Sequence, residues 1–444
     1  MFAMSYDLIL ENGTLVLPWG EAEADVAVKN GKIAAIGANL GQAAERFNAK
    51  GLHVLPGVID PHVHFRDGGK GGIEGVEDMR SGSLGAVLGG VTACFDMPNT
   101  NPAGVDVATL QAKHDYINGH SWCDIGIFAG ATMDNLDEAG TLEALPGVCA
   151  MKVFAGSSTG NLLVADDVSI ERLMRSGRRR VSFHSEDEER LQERKAEFEK
   201  GGPYSDHYVW RDVECAFKGT RRITAIAERT GRPAHILHVS TAEEFAFLRE
   251  HKDLVGCEVL VNHLLQAAPE VYERLGGYAV MNPPLREARH MDAAWAAVAD
   301  GTVDNIGSDH APHPRANKEK PWPAVAAGLT GVQTMLPLML SQVNEGRLSL
   351  LRLAQLMAEG PARIYGAVGK GRIVAGNDAD FSVVDLGARR TIENSWIASQ
   401  CGWTPFDGVA CTGWPVATII RGQVVMYEGQ VTGEPMGRAV NFRS

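Results

Sequence analysis

The sequence has no CxxC pair and no even, closely spaced set of cysteines. Its seven cysteines, Cys94, Cys123, Cys149, Cys215, Cys257, Cys401 and Cys411, are scattered and odd in number. That pattern excludes a disulfide framework and a thiolate zinc site, and it points to a reducing compartment. No apolar run approaches the roughly 18 residues that a membrane span needs. The N-terminal stretch MFAMSYDLILENG lacks the basic-then-apolar order of a secretory signal peptide. Positive charge is also short: the formal net charge is −13, which argues against a nucleic-acid partner. A cytoplasmic protein with neither membrane nor nucleic acid as partner is expected.

The 444 residues, 45% of them hydrophobic, suffice for one large domain with a satellite and a core that needs no disulfides. Both ends read as short strands broken by turns. YDLIL and TLVLP flank Asn12-Gly13, and DVAVKNGKIAAIG carries Asn30-Gly31, both hairpin signals. GRIVAGNDADFSVVDL and VATIIRGQVVMYEGQVTG repeat this texture near the other end. One small sheet domain built from residues 1–56 and 370–444 is therefore expected.

Residues 57–369 are different. Eight short apolar runs recur: IDPHVHF (59–65), VTACFDMP (91–98), DIGIFAG (124–130), CAMKVFA (149–155), RVSFHSE (180–186), AHILHVS (234–240), CEVLVNH (257–263) and VDNIGSDH (303–310). Segments such as 164–178 and 213–231 between them space their apolar residues as helices do. Alternating strands and helices imply parallel strands, and eight of them close a barrel. Two unrelated α/β domains would not explain why polar residues end almost every run, whereas in a barrel those ends form the active face.

The polar ends carry the chemistry. His62 and His64 form an H-x-H pair in a strand, so both imidazoles face one side. Alone this is a weak metal signal. His184, His238 and Asp309 end the fifth, sixth and eighth runs, and in a barrel they converge on the same mouth as the pair. Four imidazoles and a carboxylate there match the donor set of zinc. His53, His114, His120, His207, His251 and His290 lack this placement and read as ordinary hydrogen-bonded histidines.

Lys152, in the fourth run, is by default a surface lysine with a buried stem. Beside metals its ammonium would be repelled, and a neutral amine can take up carbon dioxide as a two-oxygen carbamate able to bridge two ions. Two metals roughly 3.5–4 Å apart supply a hydroxide near neutral pH. Asp309 would then accept a proton and pass it to a leaving nitrogen, the requirement of amide hydrolysis. Arg66, two residues beyond His64, is expected on the same face, where a guanidinium suits a carboxylate. Asn99 offers an amide to that anion, Asn282 to a ring amide, and His313 a further donor. Each also fits an ordinary loop or capping role.

DPHVHFRD, GGVTACFDMPNTNP, MKVFAGSSTGN, FHSED, ILHVST, MNPPLR and SDHAPH occur in the order seen in the amidohydrolase superfamily. The set resembles the dihydroorotase family over nearly the whole chain, including the terminal strands and PFDG…GWPVATIIRGQVVMYEG. The resemblance implies a TIM (β/α)8 barrel, a β-sandwich formed by both termini, and two zinc ions. It implies that His62, His64 and Asp309 bind the more buried zinc and His184 and His238 the more exposed one. Lys152 as N6-carboxylysine would bridge them, and Arg66, Asn99, Asn282 and His313 would contact dihydroorotate. The implied reaction interconverts N-carbamoyl-L-aspartate and L-dihydroorotate in pyrimidine synthesis. A homo-oligomer and an aspartate transcarbamoylase partner are both compatible with it.

Two segments depart from the family pattern. Many relatives read HFREPG where this chain has HFRDGG (64–69). After SDHAPH many carry Thr-x-Glu-Glu-Lys, whereas this chain has PRANKEK (314–320), which is expected to form a mobile flap. Alternatives are dihydropyrimidinase or hydantoinase, allantoinase, and an inactive scaffold for aspartate transcarbamoylase. Hydantoinase-like relatives tend to place a tyrosine shortly after the lysine, and VFAGSSTGN has none. Inactive scaffolds have typically lost metal histidines, and this chain keeps all of them.

Overall fold

Eight buried strands follow the eight apolar runs in the computed structural model, which describes residues 6–158 and 162–443. The last three residues of MKVFAGSSTGN, 159–161, lie outside the described residues. The strands are Val58–Val63, Val91–Asp96, Asp124–Gly130, Val148–Phe154, Val181–His184, Ala234–Ile236, Val255–Leu260 and Asn305–Gly307. They pair in sequence order, each parallel to the next. Every residue in them is buried. This is why they read as continuous apolar runs and not as alternating ones. The eighth strand returns to the first: the Ser308 N–H donates to Asp60 Oδ1 at 3.1 Å, and the His64 N–H to the His310 carbonyl at 2.7 Å. The result is a TIM barrel.

Helices occupy the segments where the apolar spacing predicts them, including Asp167–Arg175 and Val213–Thr230. Their starts are written in the sequence. Asp78, Asp106, Asp166, Asp187, Asp212 and Thr241 each accept the backbone N–H three residues ahead. Such a cap contributes about 1 kcal/mol. The lower half of the barrel is filled. Tyr365 meets Phe95 and Phe128 edge-on at 5.3 and 5.4 Å, and Phe442 from the C-terminal tail meets Phe95 at 5.4 Å. With these rings packed inside the barrel, the strand-borne polar groups are left to meet a ligand at the C-terminal mouth.

Strands from both chain ends form two further sheets around a shared apolar core that includes Leu8, Leu10, Val26, Val54, Phe381 and Ile419. The four-stranded sheet runs Lys32–Gly37, Asp25–Lys29, Tyr6–Glu11, Ala43–Asn48, and the seven-stranded one joins residues 14–56 to 381–431. Asn30-Gly31 is the expected two-residue hairpin, with φ of 52° and 74° and Lys29 opposite Lys32. Asn12-Gly13 is not. It carries the chain from one sheet to the other, because Tyr6–Glu11 pairs with Asp25–Lys29 while Thr14–Leu17 pairs with Gly20–Glu23. A Cβ at Gly13 would meet Ala49 Cβ at 2.9 Å, so glycine there permits close approach of the two layers. The sheets are tied to the barrel by buried Lys370, whose ammonium meets Asp124 at 2.7 Å, Asp380 at 2.5 Å and Asp378 at 3.0 Å. Among the described residues no helix is long and apolar enough to cross a membrane.

Candidate active site

Ten side chains singled out from the sequence gather at the barrel mouth or against its wall. His62, His64, Arg66, Asn99, Lys152, His184, His238, Asn282 and Asp309 line one cavity, together with Phe154, Ser158, Ala311, Ala327 and Gly328. His313 stands behind that lining, with its Nε2 3.0 Å from the Ala327 carbonyl. Three of the site residues leave their strands with left-handed backbones: Arg66 (φ 60°), His238 (φ 40°) and Asp309 (φ 47°). For residues with a Cβ each such turn costs about 1–3 kcal/mol. It re-aims a side chain that strand alternation would direct elsewhere. Arg66 reaches the cavity in this way, since the first strand has already ended at Val63.

The hydrogen bonds behind the histidines fix their tautomers. His62 Nδ1 lies 2.8 Å from the Glu258 carboxylate, and burial's upward push on that carboxyl is outweighed by His62, which holds it below the usual range. A carboxylate only accepts, so Nδ1 donates and Nε2 is left with its lone pair. His64 Nδ1 lies 2.6 Å from Asn99 Oδ1, an amide acceptor, which likewise leaves its Nε2 bare. Both bare nitrogens point at Asp309 Oδ1, at 3.3 and 3.1 Å. Burial pushes the Asp309 carboxyl up, and positive charge at His62, His64 and His238 outweighs that push and holds the group well below its ordinary range. Two lone pairs and a carboxylate oxygen within 4.8 Å of one another repel unless a cation joins them. The donor set therefore fits a divalent ion of the zinc type.

A second pair faces the first. His184 Nε2 lies 2.8 Å from Glu186, itself gripped by Arg211 at 2.6 and 3.1 Å, so His184 Nδ1 carries the lone pair. That nitrogen meets His238 Nε2 at 3.1 Å. Burial lowers the pKa of both imidazoles, and neutral rings are what a metal requires. Lys152 lies between these groups in the fourth strand, fully buried, its Nζ 4.6 Å from the centroid of the Phe154 ring. Burial, opposed by Asp309 and Glu258, brings its pKa down to about 7. A large share of the amine is thus neutral and nucleophilic at physiological pH.

On the same lining Arg66 is buried within reach of the charges of Asp309, Asp96 and Glu77, and its Nη2 has no hydrogen-bond partner among the described residues. Asn282 Oδ1 is likewise buried and unpaired, while its Nδ2 meets the Ser158 hydroxyl at 3.3 Å. Buried polar atoms left this way are expensive unless a ligand completes them. Sequence reasoning missed Glu258, Glu186, Arg211, Ser158 and Phe154. Glu186 was within reach: it follows His184 by two residues in HSE and so shares its face. Glu258, an acid inside the apolar run CEVLV, was a second signal.

The amidohydrolase family model matches residues 53–425. The chain is 34% identical to a dihydroorotase of Methanothermobacter thermautotrophicus, covering 96% of this chain and 95% of that protein. It is 34% identical to an allantoinase of Deinococcus radiodurans, covering 99% and 100%. The fold matches an L-hydantoinase from Arthrobacter aurescens with a TM-score of 0.93 at 29% identity, over 98% of this chain and 100% of that one. Full-length matches of this kind, together with four rim histidines and an aspartate on a parallel barrel, show that the chain belongs to the amidohydrolase family.

Proposed function

We propose that the chain hydrolyses and re-forms a cyclic amide that bears a carboxylate, and that this substrate is L-dihydroorotate, opened to N-carbamoyl-L-aspartate. The observation that carries the reading is Arg66: a buried guanidinium with an unpaired Nη2 on the same cavity as His62, His64 and Asp309. A cation so placed is best completed by an anionic group on the ligand. A dihydroorotase among the full-length relatives supports the same substrate class.

In this reading His62, His64 and Asp309 would hold one zinc ion, His184 and His238 would hold a second, and Lys152, if carboxylated, would supply them with an anionic ligand. Ions held there would supply a hydroxide near neutral pH and polarise the amide carbonyl. The remaining work falls to the chain. Arg66 and Asn99 take the carboxylate, and Asn282 pairs with the ring amide. His313 acts from behind Ala327 on the wall they form. A C–O bond forms as the ring C–N bond breaks, and Asp309 accepts the proton and delivers it to the departing nitrogen. Glu258 and Glu186 keep His62 and His184 in the tautomers that leave the ligand nitrogens bare.

A second reading, hydantoin or allantoin as substrate, is favoured by the L-hydantoinase and allantoinase relatives. Steady-state assay of the purified protein with dihydroorotate, hydantoin, dihydrouracil and allantoin decides between them. The proposal expects kcat/KM for dihydroorotate to exceed the other three by at least tenfold. Preferred turnover of any neutral ring rejects it.

A further inference from the structure

The segment PRANKEK (314–320), polar in composition, carries one buried anchor. Arg315–Lys318 is a helical turn, and Lys318 at its end is 0% exposed. The Lys318 ammonium donates to three backbone carbonyls: Val280 at 2.8 Å, Ala326 at 2.6 Å and Gly328 at 2.9 Å. Those bonds use every donor an ammonium has. No carboxylate lies within ion-pair distance of it among the described residues, and its nearest aromatic face is Trp403, with the ring centroid 5.7 Å from Nζ. Burial without a counter-charge brings the Lys318 pKa down to about 7, and three carbonyl acceptors converging on one nitrogen favour the charged form that can donate to all of them, an arrangement that simple packing does not require.

The carbonyls belong to two segments that reach the cavity. Val280 lies two residues before Asn282, and Ala327 and Gly328 are themselves on the lining. The two segments are bonded to each other, since the Gly328 N–H donates to the Val280 carbonyl at 3.0 Å, and the Ala326 N–H donates to the Asn317 carbonyl at 3.0 Å, which ties the second segment to the turn that carries Lys318. Trp403 Nε1 adds a bond to the His313 carbonyl at 2.8 Å. We infer that Lys318 is a positioning residue which, through one ammonium, sets the spacing of the wall carrying Asn282 against the turn Ala326–Gly328. The wall is therefore preformed before substrate arrives. The inference rests on the reading that this cavity takes a cyclic amide, and it holds for any of the candidate rings.

Lys318→Met keeps the aliphatic stem and removes the three donors; Lys318→Gln restores up to two of them. Both are compared with wild type on whichever of the four cyclic amides the wild type turns over fastest, so failure of the dihydroorotate assignment leaves this test intact. We expect Lys318→Met to raise KM at least tenfold with kcat changed less than threefold and metal content unchanged. Amide hydrogen exchange at Ala326 and Gly328 should quicken at least tenfold, with Lys318→Gln intermediate in both readouts. A KM within twofold of wild type with unchanged exchange overturns the inference. So does a loss confined to kcat or accompanied by loss of metal. If Lys318→Met does not fold, Lys318→Gln is judged by the same criteria. If neither folds, exchange at Ala326 and Gly328 in the wild type must be as slow as in the barrel strands, and fast exchange there overturns the inference.

Discussion

Replacing Arg66 by methionine sets function against stability, and the two effects have opposite signs. The guanidinium is buried, its Nη2 is unpaired, and its backbone is held at φ 60°. In the free enzyme an unsatisfied buried donor costs about 1–3 kcal/mol. Methionine fills a similar volume without that penalty, so Arg66→Met should unfold at a temperature equal to or a few degrees above wild type. With an anionic substrate bound, the same guanidinium makes a charge-assisted contact worth about 1.5–3 kcal/mol. Its loss should lower kcat/KM for dihydroorotate by roughly ten- to hundredfold. Neutral dihydrouracil makes no such contact, and any turnover of it should change less than threefold. Thermal melts and kinetics with both substrates check this. Equal losses on the charged and neutral ring, or a clear fall in melting temperature, would mean that Arg66 serves the fold and not the substrate.

Removing metal by chelation should abolish turnover, and zinc should restore it, because His62, His64 and Asp309 present two lone pairs and a carboxylate to one point. Metal analysis of untreated protein should find about two ions per chain; activity that survives metal-free preparation rejects the assignment. Lys152→Ala should lose activity and most of its metal, with partial recovery when acetate or propionate is supplied, since a short carboxylate would take the place of the proposed carbamate. Retention of both metals and near-normal turnover would remove Lys152 from the site. Burial also lowers the pKa of His235, to about 4. Its unfolded-state pKa of about 6.5 lies higher, so the unfolded chain binds a proton that the folded one refuses. Stability should fall as pH drops from about 6.5 towards 4, with up to about 1.4 kcal/mol per pH unit from this residue. His235→Leu should flatten that slope in urea titrations at pH 7.5, 6 and 5, and an unchanged slope refutes the attribution.

The barrel was legible because burial on both faces turns each strand into an apolar run and function places a polar residue where the run ends. Strand lengths were less legible. AHILHVS (234–240) reads as seven residues, yet the strand is only Ala234–Ile236, since the backbone leaves it before His238 turns left-handed at φ 40°. Asn12-Gly13 shows a related limit: the dipeptide fixes a local turn but not which strands the turn joins. Lys318 was hidden for a different reason. PRANKEK has the composition of a solvated loop, and nothing within it reports three carbonyls supplied by residues 280, 326 and 328.

The site itself divides along the same line. Residues that act by standing at a strand end, such as His62 or His184, can be found from the run that delivers them. Apart from Glu186, two residues from His184, residues that act on those residues cannot be found so simply, because their partners come from elsewhere in the chain. Glu258 is 196 positions from His62, and Arg211 is 25 from Glu186. Yet the tautomer of His62, and with it the lone pair that a metal needs, is set by Glu258 and not by anything near residue 62. Strain behaves alike. Arg66, His238 and Asp309 carry ordinary side chains in a conformation that favours glycine, and no local pattern announces it. Their positive φ values persist only because packing around the mouth over-determines them, which is the condition under which a strained backbone can hold a reactive group in place. Ligand identity is therefore written in strand ends, whereas ligand geometry is written in contacts between distant segments.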